Sequence, residues 1–243
     1  MRPGVMAIRE LSIGLVPLAL LLWLADLLGQ STALSITVTV GLYLILAALI
    51  WQSADDLPRA FGWANRVTLL RAILVSLMAG WLVEQSIFAG GSWLVIGLAL
   101  FALVLDGIDG RLARRLGQSS DFGARFDMEV DAALILVLSA GLLVGERVGP
   151  WVLAIGLMRY AFLLAMAGWP WLAATLPPSF RRKLICVWQV SALMVALIPG
   201  LPAPLIVLAL ASALALLSFS FALDILWLIR RQRRIHQQRW RLS

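Results

Sequence analysis

The chain has 243 residues, 62% of them hydrophobic, with a mean hydropathy of +0.94 and 33 charged side chains, 20 basic and 13 acidic. A soluble domain carries nearly twice this charged share, so soluble, disordered and fibrous classes are excluded, and apolar runs recurring from residue 12 to residue 229 indicate an all-α polytopic membrane protein. The net charge of +7 does not indicate nucleic acid, because the basic residues gather at the ends of apolar runs, where a membrane surface explains them.

About eight spans are predicted, at 12–29, 33–51, 67–83, 91–105, 131–145, 149–168, 184–199 and 204–229. The first is long, contains Asp26 and runs directly into the second, so it is expected to stay in the mature protein rather than be cleaved as a signal peptide. Gly29-Gln30-Ser31, Gly90-Gly91-Ser92, Gly149-Pro150 and Pro199-Gly200-Leu201-Pro202 supply the turns on one side. On the other side lie 52–66, 106–130, 169–183 and both termini, and nearly all the arginines. The positive-inside rule makes that side cytoplasmic, so the protein is expected in the inner (cytoplasmic) membrane with both termini inside. Arg147 is the exception in an outer loop, and Arg159 stands inside a span. The single cysteine, Cys186, lies in an apolar run, excludes an internal disulfide framework and reads as core packing.

Six of the 13 acidic residues fall within the 26 positions 106–131, DGIDGRLARRLGQSSDFGARFDMEVD. Asp106, Asp109, Gly110 and Ala113 share one helix face at i, i+3, i+4 and i+7, with Arg114 next to it. Gly123, Asp127 and Asp131 form a stripe at i, i+4 and i+8 on a second helix. A turn at 117–120 lets the two fold back antiparallel and set four carboxylates opposite each other at the membrane surface. Four anions at a low-dielectric boundary cost several kcal/mol of mutual repulsion and desolvation unless they bind cations. With no histidine nearby, an all-oxygen ligand set suits magnesium, manganese or calcium, and four carboxylates fit a two-metal site that clamps phosphoryl oxygens. Gly110, Ala113 and Gly123 leave room for phosphates to approach, and Arg114 is placed to pair with one.

These residues match D-x2-D-G-x2-A-R-x8-G-x3-D-x3-D at every fixed position, and the chain thereby resembles the CDP-alcohol phosphotransferases. Upstream, Asn65, Thr68 and Arg71 resemble the N-x2-T-x2-R that opens the first core helix of that family. The resemblance covers a six-span core at 60–230, leaving an N-terminal pair of helices at 1–59 and a basic tail at 231–243. It implies transfer of a phosphoalcohol group, most simply phosphatidyl from CDP-diacylglycerol, to a small alcohol acceptor with release of CMP, and it implies a homodimer. Asp106, Asp109, Asp127 and Asp131 are then the ligands of two divalent ions, magnesium or manganese, with Asp131 also the general base. Asn65, Thr68, Arg71, Gly110, Ala113, Arg114 and Gly123 line the CDP pocket. One departure concerns the acceptor: Ala132 follows the last aspartate where phosphatidylglycerophosphate synthases carry lysine.

Arg159, Arg181, Arg182 and Lys183 are candidates for binding an anionic acceptor, each weighed against a structural ion pair or interfacial anchoring. Asp26 and Asp224 read as helix-packing contacts, Asp121 and Glu129 as bystanders to the aspartate stripes, and His236 in the basic tail as inert. Two other readings compete. A CDP-linked small headgroup with a lipid acceptor would use the same chemistry, and a cation-coupled transporter would also use membrane carboxylates. The transporter expects its acids near mid-membrane on broken helices, whereas these stand at span ends.

Overall fold

A computed structural model describes residues 3–53, 61–116, 120–174, 176–177 and 179–240, with residues 3, 109–116, 170 and 233–240 described as backbone only. Among these residues the secondary structure is entirely helical: α1 Pro3–Leu27, α2 Ala33–Gln52, α3 Gly62–Gly80, the single turn α4 Gln85–Phe88, α5 Trp93–Leu116, α6 Asp121–Val144, α7 Leu153–Gly168, α8 Phe180–Ala196 and α9 Ala203–Trp240. Short 3₁₀ turns flank α3 and α7.

Five stretches, Gly4–Leu27, Ala33–Gln52, Gly62–Val83, Pro150–Gly168 and Ala203–Gln232, are long and apolar enough to cross a membrane by length and composition. The spans expected at 91–105, 131–145 and 184–199 are also helical, in α5, α6 and α8, where the aspartate motif and the Arg181-Arg182-Lys183 run enter the helices. Leucines such as Leu20, Leu44, Leu164 and Leu208 point outward and exposed, as lipid-facing side chains do, and Trp63, Trp93 and Trp169 stand exposed near helix ends. The protein is thus a polytopic helical membrane protein.

Helix boundaries follow local chemistry. Thr32 caps α2: its Oγ1 accepts from the Ser35 N–H at 3.3 Å, and the Thr32 N–H donates to Ser35 Oγ at 2.9 Å, a closed capping box. Ser120 caps α6 by accepting from the Gly123 N–H at 3.0 Å. Gly29 and Gly200, at φ +66° and +75°, end their helices in the left-handed region that the turns at those positions require.

The turns expected on one side do meet at one end of the bundle. Ser92 N–H donates to Leu197 O at 2.9 Å, and Gln85 bonds Glu146 at 3.1 Å. Arg147 reaches Gly90 O at 3.1 Å, Ala196 O at 3.2 Å and Ile198 O at 2.8 Å. Arg147 therefore caps the carboxyl end of α8, where a cation satisfies carbonyls left without helical partners.

α3 is the central helix. Of its most apolar window 67% is buried, against 17–28% for the other four long spans. It packs against α1, α2, α5 and α6. At Gly80 an added Cβ would stand 2.7 Å from the Ser35 carbonyl oxygen of α2, so the closest approach of these two helices depends on glycine. Among the described residues α5 and α6 pack chiefly on α3 rather than on each other. The two motif helices are thus held chiefly through α3, while their carboxylates Asp106, Asp127 and Asp131 meet directly.

Candidate active site

The aspartate motif is carried by two helices that both outrun their apolar spans. α5 continues past Leu105 to Leu116, and α6 begins at Asp121, ten residues before Asp131. Asp106, Asp109, Gly110 and Ala113 thus stand on one uninterrupted helix and Gly123, Asp127 and Asp131 on another, as the spacing predicts. The side chains of Asp109, Gly110, Ala113 and Arg114 lie outside the described residues, and so does the link at 117–119.

From the central helix α3, Asn65, Thr68 and Arg71 present a stripe of polar side chains, 4%, 3% and 1% exposed. Such burial inside a membrane protein requires partners. Thr68 Oγ1 donates to Ala64 O at 3.1 Å. Asn65 packs over α6: a Cβ on Gly123 would sit 2.6 Å from Asn65 Oδ1 and 3.1 Å from Ser120 Oγ. Gly123 therefore already serves the packing of α3 on α6. Arg71 is the hub. Its Nη1 meets Asp106 at 3.0 Å and also bonds Asp127, while its Nη2 bonds Asp131. Sequence reasoning placed Arg71 in the nucleotide pocket, and the structure sets it among the aspartates. The planar fork of a guanidinium suits this position, because its two terminal nitrogens can hold carboxylates from different helices in fixed orientation.

Asp106, Asp127 and Asp131 are each about one-third exposed, and each offers an oxygen within 4.8 Å of the others. Ionised, the three carry −3 against the +1 of Arg71, leaving −2 on a cluster open to solvent on one side. That charge and the all-oxygen donor set fit a hard divalent cation, and the absence of histidine from this cluster disfavours zinc or copper.

The acceptor candidates have structural partners. Arg159 on α7 pairs with Glu129 on α6 at 2.5 Å, and Glu129 stands outside the aspartate cluster, as its spacing off the stripe predicts. Arg181 and Arg182 pair with Asp224 of α9 at 2.6 and 3.4 Å, Arg181 also donates to Ser220 O at 3.2 Å, and Arg182 to Pro177 O. Asp224 is thus the packing contact expected of it. Lys183 is exposed and, among the described residues, makes no side-chain bond. Cys186, one helical turn further along α8, is exposed rather than packed in the core, where its apolar run had placed it.

Fold and site together define a multi-pass helical membrane protein whose central arginine gathers an acidic, oxygen-rich site at one end of the bundle. The family model described as CDP-alcohol phosphatidyltransferase matches residues 61–223, and the chain belongs to that family. It is 37% identical over 91 residues to a cardiolipin synthase (CMP-forming) of Streptomyces coelicolor, covering 36% of this chain and 42% of that protein. It is 33% identical over 118 residues to a bifunctional IPC transferase and DIPP synthase of Rubrobacter xylanophilus, covering 49% of this chain and 23% of that protein. The chain spans less than half the length of either curated relative. No solved structure matches significantly.

Proposed function

We propose that the protein is an integral-membrane transferase of phospholipid synthesis, moving a phosphatidyl group from CDP-diacylglycerol to a small alcohol, with its site and both termini on the cytoplasmic side. The observation that carries this reading is the convergence of Asp106, Asp127 and Asp131 on Arg71. A site at the membrane surface suits a donor whose acyl chains stay in the bilayer while its head group meets a polar acceptor.

Two divalent ions, magnesium or manganese, held by Asp106, Asp109, Asp127 and Asp131, would neutralise the diphosphate and stabilise CMP as leaving group. Arg71 holds three of these carboxylates in a fixed orientation and offsets part of their repulsion. Asp131 is bound to Arg71 through one oxygen. Its other oxygen is the atom assigned to take the acceptor's hydroxyl proton as the acceptor's hydroxyl oxygen bonds to the diacylglycerol-linked phosphorus and the bond from that phosphorus to the CMP oxygen breaks. Gly110, Ala113, Arg114 and Gly123, with Asn65 and Thr68, form the nucleotide side. Lys183 is the cation assigned to an anionic acceptor, because Arg159, Arg181 and Arg182 have carboxylate partners of their own. A homodimer is the expected assembly.

Purified protein given CDP-diacylglycerol with glycerol 3-phosphate, serine, inositol, inositol phosphate or choline is expected to release CMP and form a new phospholipid with one of them. Failure with all five would overturn the reading. The lone cysteine gives an independent check of the geometry. Maleimide labelling of Cys186 should slow severalfold when CDP-diacylglycerol and magnesium are added; unchanged labelling would place the donor elsewhere.

A further inference from the structure

The N-terminal helix α1 lies outside residues 61–223 that match the family, yet it carries Glu10, which is 1% exposed. Arg66 of α3 grips this carboxylate through both oxygens, Nε to Oε2 at 2.7 Å and Nη2 to Oε1 at 2.9 Å. Arg9 adds a contact to Oε1 at 2.6 Å, and the Arg66 guanidinium sits 4.9 Å from the Trp63 ring centre. One turn along each helix, Gly14 of α1 meets α3 so closely that a Cβ there would lie 3.2 Å from Leu69 Cδ2. Tyr43 of α2 donates to Leu11 O at 2.5 Å, tying the second extra helix into the same junction.

Arg66 follows Asn65 directly and stands five residues before Arg71 on the same helix. A bidentate ion pair fixes a helix against both sliding and rotation, since either motion would break one of two directed bonds. We infer that Glu10 is a positioning residue: through Arg66 it sets the height and rotation of α3, so that Asn65 seats on Gly123 and Arg71 reaches the three aspartates at once. This gives the N-terminal helix pair a role in the site although, among the described residues, none of its side chains bonds to Arg71, Asp106, Asp127 or Asp131. The inference rests on the proposed cation-binding role of the aspartates, and its test does not require turnover.

Manganese affinity of the folded protein, read by the loss of free Mn²⁺ paramagnetic signal, is the measurement. Glu10→Gln and Arg66→Gln are each expected to weaken Mn²⁺ binding about tenfold, as changes to groups that orient metal ligands do. Because both act through one bond pair, the double variant should be no weaker than either single one. Thermal midpoints, taken alongside, separate positioning from stability alone. Lower midpoints with unchanged Mn²⁺ affinity would overturn the inference, and so would additive losses in the double variant. Should Glu10→Gln fail to fold, Arg66→Lys, which keeps the charge but cannot span both oxygens, carries the test, and wild-type affinity in that variant overturns it. If wild-type protein binds Mn²⁺ but releases no CMP from any donor, the proposed function fails while this inference stands or falls on the affinities.

Discussion

Asp131→Asn is expected to lower CMP release by about 10²- to 10⁴-fold, the span typical for loss of a general base, while leaving the protein folded. Asparagine keeps the shape and can still accept from Arg71 Nη2 through its carbonyl oxygen. It cannot take a hydroxyl proton, and it removes one of three negative charges that crowd within 4.8 Å of each other. The repulsion in the cluster therefore falls, from −3 to −2 against one guanidinium. The thermal midpoint in chelator should hold or rise even as activity disappears. Activity within a few-fold of wild type would show that the proton goes elsewhere. A collapse of the midpoint would show that the Asp131–Arg71 pair is chiefly structural.

Arg71→Ala is expected to do the opposite to stability. It removes the only cation bonded to Asp106, Asp127 and Asp131 among the described residues, and leaves a 1% exposed site on α3 empty of its side chain. Stripping one partner from a buried ion pair costs about 3–5 kcal/mol, and since the aspartates are themselves one-third exposed, about 3 kcal/mol is the expected loss. A divalent cation would offset that loss, so magnesium should raise the midpoint of Arg71→Ala more than that of the wild type. CMP release should fall at least a hundredfold, because the carboxylates lose the fork that orients them. Arg71→Lys should recover little of it, since an ammonium is a point charge with no fixed fork. Wild-type stability of Arg71→Ala in chelator would contradict this account of the hub.

Much of this was legible in the chain. Apolar runs and glycine turns located every long helix, because helix length and left-handed turns are local properties. The i, i+4, i+8 spacing placed Gly123, Asp127 and Asp131 on one face for the same reason. What spacing does not carry is which element stands between two faces. The carboxylates of the two motif helices do meet, as their spacing predicts, but each helix packs chiefly on α3, and this sets Arg71 among them as the counter-ion of the cluster. Arg147 looked like a breach of the charge rule until its carbonyl partners on two segments, Gly90 and the end of α8, were seen. Glu10 lies just ahead of the first expected span at 12–29 and drew no attention, since its partner Arg66 is 56 residues away. The sequence signal that would have found it is an acid in an apolar helix facing a chain whose central span begins with an arginine beside the asparagine motif. Charged residues within spans need partners, and each lone one is a search for its opposite.

The most direct test of the central claim is CMP release from CDP-diacylglycerol by the purified protein as divalent cation is titrated from zero in the presence of the productive acceptor. The account predicts no release in chelator and saturable recovery with magnesium or manganese, lost together in Asp106→Asn and Asp127→Asn. Release at an undiminished rate in chelator would contradict it.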